Sequence, residues 1–266
     1  MRTLTPPGSQ DRLPQGLTLE NGSRFVPRMV MTDELQVVVR EVIRQWRHRD
    51  RFAGLVRFGI RPLDRLLFYG PPGNGKTMSC QWICQQIGTP LYRVLCEQVV
   101  GSYMGETSRA LARILEFLQG LRDPALCLFD EVESIFVDRA RGDGQCDRER
   151  GSALGVFMQA LDRWRAPTLI VMATNLVEQV DRALLSRIEL KLQFRGPTPE
   201  QARECVEYWR ELLCDYGADQ WGPPLAAEIE AGWEPTSFRE LAQQIARAAR
   251  DWVAGRIDEG KGKDEG

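Results

Sequence analysis

The chain has 266 residues, 43% hydrophobic and 27% charged, which is enough for one large or two small globular domains with a sizeable core. A net charge of −2 gives no basic field of the kind that draws nucleic acid. A single histidine, His48, gives no support for a histidine-based metal site or a Ser-His triad, and no apolar run reaches the length of a membrane span.

The seven cysteines carry no C-x-x-C pair, and Cys80, Cys84 and Cys127 sit in apolar segments. They read as buried reduced thiols of a cytoplasmic protein. Residues 1–25 are rich in Pro, Gly, Ser and polar groups and read as a loose arm or linker. From Thr32 to about Phe52, Leu35, Val38, Val39, Ile43 and Trp46 recur at helical spacing, with Thr32 as a candidate cap. The end of this helix is basic, with Arg44, Arg47, Arg49 and Arg51 around Trp46 and His48. A nucleic-acid contact is one reading of that stretch, and a solvated face or a contact between subunits is the other.

Arg65–Tyr69 (RLLFY) predicts a short buried strand. It leads into GPPGNGKT, Gly70 to Thr77, which fits the phosphate-loop pattern G-x-x-x-x-G-K-[ST]. Glycines let successive backbone N–H groups turn inward around an anion. Lys76 brings a mobile positive charge, Thr77 a hydroxyl for Mg²⁺, and the following helix points its positive end at the phosphates. Pro72, Gly73, Asn74, Gly75 and Met78 belong to the same nucleotide site. The helix from Met78 to Ile87 is stopped by Gly88.

Further strands are predicted at 90–95 (PLYRVL), 125–129 (ALCLF), 168–173 (TLIVMA) and 188–194. Helices are predicted at 106–119, 152–164 and up to Arg187, and a charged, glycine-rich loop at 138–151. Strands alternating with helices predict an α/β fold, a doubly wound parallel sheet of five strands. After Gly196-Pro197-Thr198-Pro199 the pattern turns helical: about 200–216, a weak segment near 224–231, and 237–255 with Ser237 and Glu240 as a capping box. The expected organisation is an arm over 1–30, the α/β domain over 31–196, a small all-α domain over 197–256 and a disordered tail over 257–266.

Ligands in open α/β sheets bind beyond the carboxyl ends of strands. Asp130 and Glu131 follow one such strand. Asp130 is placed for the Mg²⁺ shell and Glu131 to orient or deprotonate a water, with Glu133 as a substitute. Asn175 follows another strand and can reach a γ-phosphate or the same water.

Four motifs in order, GIRPLDRLLFYGPPGNGKT, LCLFDEVES, VMATN and VDRALLSRIEL, resemble an AAA+ ATPase module, nearest the AAA proteins that remodel other proteins. The resemblance covers about residues 30–255. It implies a P-loop NTPase with ATP and Mg²⁺ as cofactors and the helical domain as a lid. In it Gly59 and Ile60 line the adenine pocket, Thr77 and Asp130 serve Mg²⁺, Glu131 is the hydrolytic glutamate and Asn175 the first sensor. Arg187 matches an arginine finger acting on a neighbouring subunit. Ser186 stands where many relatives have a second arginine, and Arg182 is the nearest stand-in. Arg239 resembles the lid's sensor. Tyr103, Met104 and Gly105 resemble the pore loop of protein-threading members, in which an aromatic–apolar pair grips polypeptide by area. The implied activity is ATP-driven remodelling, unfolding or disassembly of a protein substrate by a homo-oligomeric ring, by analogy a hexamer. An ATP-gated switch or assembly factor that does not thread is the alternative, and a nucleic-acid motor or loader is less favoured.

Overall fold

The computed structural model describes residues 13–20, 33–52, 54–60, 62–101, 105–136, 145–212 and 232–261. Six strands form one sheet: β1 (Leu17–Glu20), β2 (Arg65–Tyr69), β3 (Leu91–Leu95), β4 (Ala125–Asp130), β5 (Thr168–Thr174) and β6 (Leu190–Gln193). Their spatial order is β1-β3-β4-β5-β2-β6. All neighbours pair in parallel except β1, which runs antiparallel to β3 with Leu17 opposite Val94 and Glu20 opposite Leu91. The expected five-stranded parallel sheet is therefore a six-stranded mixed one. The Pro- and Gly-rich stretch read as an arm contains the missing strand. A four-residue strand carries almost no periodicity of its own, and it covers an edge of β3 that would otherwise present unpaired backbone groups.

The continuous apolar runs of β2, β4 and β5 follow from burial on both faces. Leu67, Cys127, Phe129, Ile170 and Met172 meet one helical layer, α4 (Glu106–Gln119) and α5 (Gln145–Asp162), through Leu111, Ile114, Leu115, Leu118, Leu154, Phe157 and Leu161. Leu66, Phe68, Leu126, Leu128 and Val171 meet the other, α1 (Asp33–Arg47) and α2 (Lys76–Ile87), through Val39, Val42, Trp46, Cys80 and Ile83. This is a doubly wound three-layer arrangement. Cys80, Cys84, Cys96 and Cys127 are free and buried, and burial pushes the Cys84 thiol up to about 12. Two short helices complete the layer pattern, α3 (Cys96–Val99) and α6 (Arg182–Leu185).

The basic end of α1 is engaged within the chain. Arg44 pairs with Glu41 at 2.8 Å. Arg47 donates to the Gln86 carbonyl at the end of α2, at 2.6 Å through one terminal nitrogen and 3.1 Å through Nε. Arg49 donates to the Trp46 carbonyl. Cations at a helix C-terminus satisfy its free carbonyls and oppose its dipole.

Helix α5 begins at Gln145, inside the stretch expected to be a loop over 138–151; its first two turns include Arg148, Glu149 and Arg150, and straight-chain charged residues are good helix formers. After β6 come α7 (Pro199–Leu212) and α8 (Phe238–Lys261). They bury Ala202, Val206, Leu241 and Ile245 together, with Trp209, Trp233 and Phe238 packed around them. Thr198 and Gln201 form a reciprocal capping box on α7. On α8 the expected box is shifted: Ser237 Oγ accepts from the Glu240 N–H, but the Glu240 carboxylate accepts from Thr236, one residue earlier than a box requires. The same helix runs to Lys261, into the segment expected as a tail. Thr32, residues 213–231 and residues 262–266 lie outside the described residues. Among those described, no helix is long and apolar enough to cross a membrane.

Leu17 is 4% exposed and pins β1 to the larger core cluster. Leu17→Ala should cost about 2–4 kcal/mol. In hydrogen exchange, residues 17–20 should lose protection well before 125–130, because an edge strand opens locally ahead of the sheet centre.

Candidate functional site

The carboxyl ends of β2, β4 and β5 converge on one cavity of about 440 Å³. Pro72, Gly73, Gly75, Lys76, Thr77, Met78, Asp130, Glu131, Asn175 and Arg239 line it. The geometry starts with the loop after β2. Gly70, Gly73 and Gly75 have φ of 134°, 82° and 88°, which side-chain-bearing residues adopt only under strain. A Cβ on Gly70 would run into the Phe194 carbonyl, and one on Gly73 would stand 2.9 Å from Arg239 Cβ. The loop is thus fitted between the end of β6 and the start of α8. Asn74 fastens the second contact: its Oδ1 accepts from the Phe238 N–H at 3.3 Å, and the Arg239 N–H donates to the Gly73 carbonyl at 3.0 Å.

Lys76 is buried at the first position of α2. Its Nζ donates to the carbonyls of Gly70 and Pro71 (2.9 Å to the latter) and to Asn175 Oδ1 at 2.7 Å. Burial pushes its pKa below the usual lysine range, opposed by Asp130 and Glu133 and reinforced by Arg239. Thr77 Oγ1 donates to Asp130 Oδ2 at 3.3 Å. Glu131 is the one non-glycine residue with positive φ (58°) among those described. Backbone strain of this kind concentrates at functional sites. Burial raises its carboxyl pKa, with Glu97 on α3, Asp130 and Glu133 adding to the rise. Glu133 accepts from the Asn175 N–H at 3.1 Å through Oε1, while its Oε2 is buried without a hydrogen-bond partner among the described residues.

These residues fit a nucleoside triphosphate with a hard divalent cation. An ammonium held by neutral acceptors at a helix N-terminus suits phosphate oxygens. One hydroxyl and one carboxylate at the loop suit Mg²⁺, which takes few protein ligands and completes its shell with phosphate and water. Such a shared site needs no dense ligand set, and no cluster of three or more His, Cys, Asp or Glu suited to a metal is found among the described residues.

Residues 66–196, from β2 to just past the end of β6, match the model of the ATPase family associated with various cellular activities (AAA). Over these residues, just under half of its length, the chain carries an AAA module.

It is 27% identical to a katanin p60 ATPase-containing protein of Xenopus tropicalis over 79% of this chain and 38% of that one. It is 25% identical to a 26S proteasome regulatory protein, the S10B homolog of Arabidopsis thaliana, over 74% and 51%. With a cell division cycle protein 48 homolog of Archaeoglobus fulgidus the identity is 26%, over 90% and 33%. The chain thus spans about half or less of the length of these AAA relatives.

Not every residue singled out from the AAA resemblance reaches the cavity. Gly59 and Ile60 are not among its lining residues, and Ile60 is half exposed. Arg187 stands away from it, in a two-point pair with Asp162 at the end of α5 (3.0 and 3.3 Å). Arg182 opens α6 and is exposed. Tyr103 and Met104 lie outside the described residues, and Gly105 forms the N-cap of α4 with φ of 80°. Three lining residues were missed from the sequence: Arg93, Phe238 and Ala242. Arg93 left a legible signal, a charge in the middle of the otherwise apolar strand LYRVL.

Gly73→Ala should weaken nucleotide binding by roughly tenfold in an equilibrium fluorescence titration, since both the strained φ and the Arg239 clash push α8 off the loop. Gly88→Ala is the control. It also has positive φ (75°) but faces open space, so it should cost about 1 kcal/mol of stability and leave binding unchanged.

Proposed function

We propose that this AAA chain binds and hydrolyses Mg-ATP in the cavity and, assembled as a ring, uses the cycle to remodel a protein substrate. The observation that carries the reading is the convergence of Lys76, Thr77, Asp130, Glu131 and Asn175 from three strand ends on one cavity, with the start of α8 on its rim. Lys76 would exchange its carbonyl partners for β- and γ-phosphate oxygens. Thr77 and Asp130 would hold the cation, which when bound neutralises charge on the β- and γ-oxygens. Glu131 would take a proton from the attacking water, with its raised pKa making it a stronger base than an ordinary carboxylate. Asn175, already bonded to Lys76, would orient the same water or the γ-phosphate. Arg239, seated on the loop through Gly73, would report the nucleotide to the helical pair α7–α8, acting as a lid.

Arg187 would act in trans by exchanging Asp162 for a neighbour's γ-phosphate. A ring, by analogy a hexamer, would complete each site with the arginine of the next protomer. Tyr103 and Met104 would line the axis and grip an extended polypeptide. The names of the relatives, a katanin, a proteasome regulatory protein and a cell division cycle protein 48, support a protein substrate. Engagement of Arg44, Arg47 and Arg49 within the chain weighs against a nucleic-acid motor. An ATP-gated switch that does not thread is the second reading, since the docked start of α8 would serve it equally well.

Lys76→Ala should abolish nucleotide binding at micromolar concentration. Glu131→Gln should bind as the parent does but hydrolyse orders of magnitude more slowly; wild-type turnover in that variant would move the role to Glu133.

ATPase rate per chain should climb steeply with protein concentration, because a trans arginine contributes roughly 10³–10⁵ in rate where it has been measured. Mixing Arg187→Ala with Lys76→Ala chains should restore part of the activity. A stable monomer with a concentration-independent rate would exclude action in trans. Tyr103→Ala should keep ATPase activity and melting temperature while losing substrate remodelling; a variant that remodels normally would favour the switch.

A further inference from the structure

The charge that the phosphate-loop logic does not use is Arg93. It sits at the centre of β3, opposite Leu128 on β4 and Thr18 on β1, and its guanidinium enters the same cavity as Lys76 and Thr77. One terminal nitrogen lies 2.7 Å from Asp130 Oδ2, the same oxygen that accepts from Thr77. The other terminal nitrogen lies 3.4 Å from Glu20 Oε1, at the end of β1. Glu20 Oε2 in turn accepts from Gln81 Nε2 at 2.8 Å, one turn along α2 from Thr77. Arg93 Nε is buried without a hydrogen-bond partner among the described residues. A row of polar contacts therefore runs Asp130–Arg93–Glu20–Gln81, from the cavity to the edge strand and back to α2.

Two anions share this guanidinium through different nitrogens, and the distances rank them. The Asp130 contact is the shorter, and Asp130 is the less exposed of the two carboxylates, 13% against 27% for Glu20. A divalent cation seated between Thr77 and Asp130 would change the ranking. It would share the carboxylate oxygen with Arg93 and repel it at close range. Glu20 is already within reach to take the displaced charge.

We propose that Arg93 is a resident cation of the site, shared between Asp130 and Glu20 until a divalent cation takes over the Asp130 oxygen and Glu20, the last residue of β1, holds the guanidinium alone. The inference rests on the nucleotide-site reading given above. It assigns β1 a part in metal loading: its terminal carboxylate is the acceptor that lets the cation in. It also assigns Arg93 a part in metal-free binding, where its charge offsets Asp130 near the phosphates.

The test is a binding measurement, without turnover, on the full chain. N-methylanthraniloyl-ADP is titrated at fixed Mg²⁺, and Mg²⁺ at fixed probe, for wild type, Arg93→Gln and Glu20→Gln. Arg93→Gln removes the competitor, so half-saturating Mg²⁺ should fall by roughly three- to tenfold, the range of a half-buried charge pair, while metal-free probe affinity weakens. Glu20→Gln leaves Arg93 with Asp130 alone, so half-saturating Mg²⁺ should rise by a similar factor. A role in packing alone would not move the two variants in opposite directions. Unchanged or higher Mg²⁺ demand in Arg93→Gln, or a shift of the same sign in both variants, would overturn the inference while leaving the nucleotide site standing. If Arg93→Gln does not fold, Glu20→Gln decides, a rise supporting the inference and no change overturning it. A wild-type chain that binds no probe at any Mg²⁺ would overturn the nucleotide site and this inference together.

Discussion

Holding a buried ammonium with no counter-anion in direct contact among the described residues is the constraint on which the site depends. Lys76 is satisfied by the carbonyls of Gly70 and Pro71 and by the Asn175 side chain, so the loop after β2 and the end of β5 must close on one point. Burying a charge is costly unless hydrogen bonds replace its water. Two of the acceptors are the backbone carbonyls of Gly70 and Pro71, in a loop turned by the positive φ of Gly70, Gly73 and Gly75. Asn175 can reach Lys76 only because β5 lies directly beside β2, with Tyr69 opposite Thr174. The crossover order of the sheet, β4-β5-β2, is thus what turns three separate strand ends into a site.

The start of α8 depends on the same loop from the other side. The side-chain oxygen of Asn74 accepts from a helix N-terminal N–H, the kind of group a helix leaves free. Gly73 leaves room for Arg239. One short loop therefore serves the sheet on one side and the α7–α8 pair on the other. Any rearrangement of the loop is felt by both.

What could be read from the sequence is what local chemistry encodes. The phosphate loop, the acids after ALCLF and the asparagine after VMAT were legible because each sits at a fixed step from a strand of unmistakable apolarity. Helix α4 was legible because Leu111, Ile114, Leu115 and Leu118 repeat on one face. β1 was not, because its four residues form a strand only by pairing with β3. The start of α5 was hidden by charged residues that resemble a loop in composition and a helix in propensity. Ile60 was singled out on resemblance alone; it is half exposed and is not among the residues lining the cavity. The match of residues 66–196 identifies the AAA module, while the surrounding segments owe their reading to contacts such as Asn74–Phe238 that no local pattern announces.

The guanidinium of Arg47 on the Gln86 carbonyl has a mechanical meaning. Helix α2 is gripped at its rear by α1 and at its front by the Gly70–Lys76 loop, so it resembles a beam clamped at both ends. Such a beam cannot slide along its axis when the charge at its front changes. The joint where α8 meets the loop rests on two backbone N–H groups. A chain built this way would convert a change of charge at the loop into rotation of its C-terminal helices, with the sheet acting as the fixed frame.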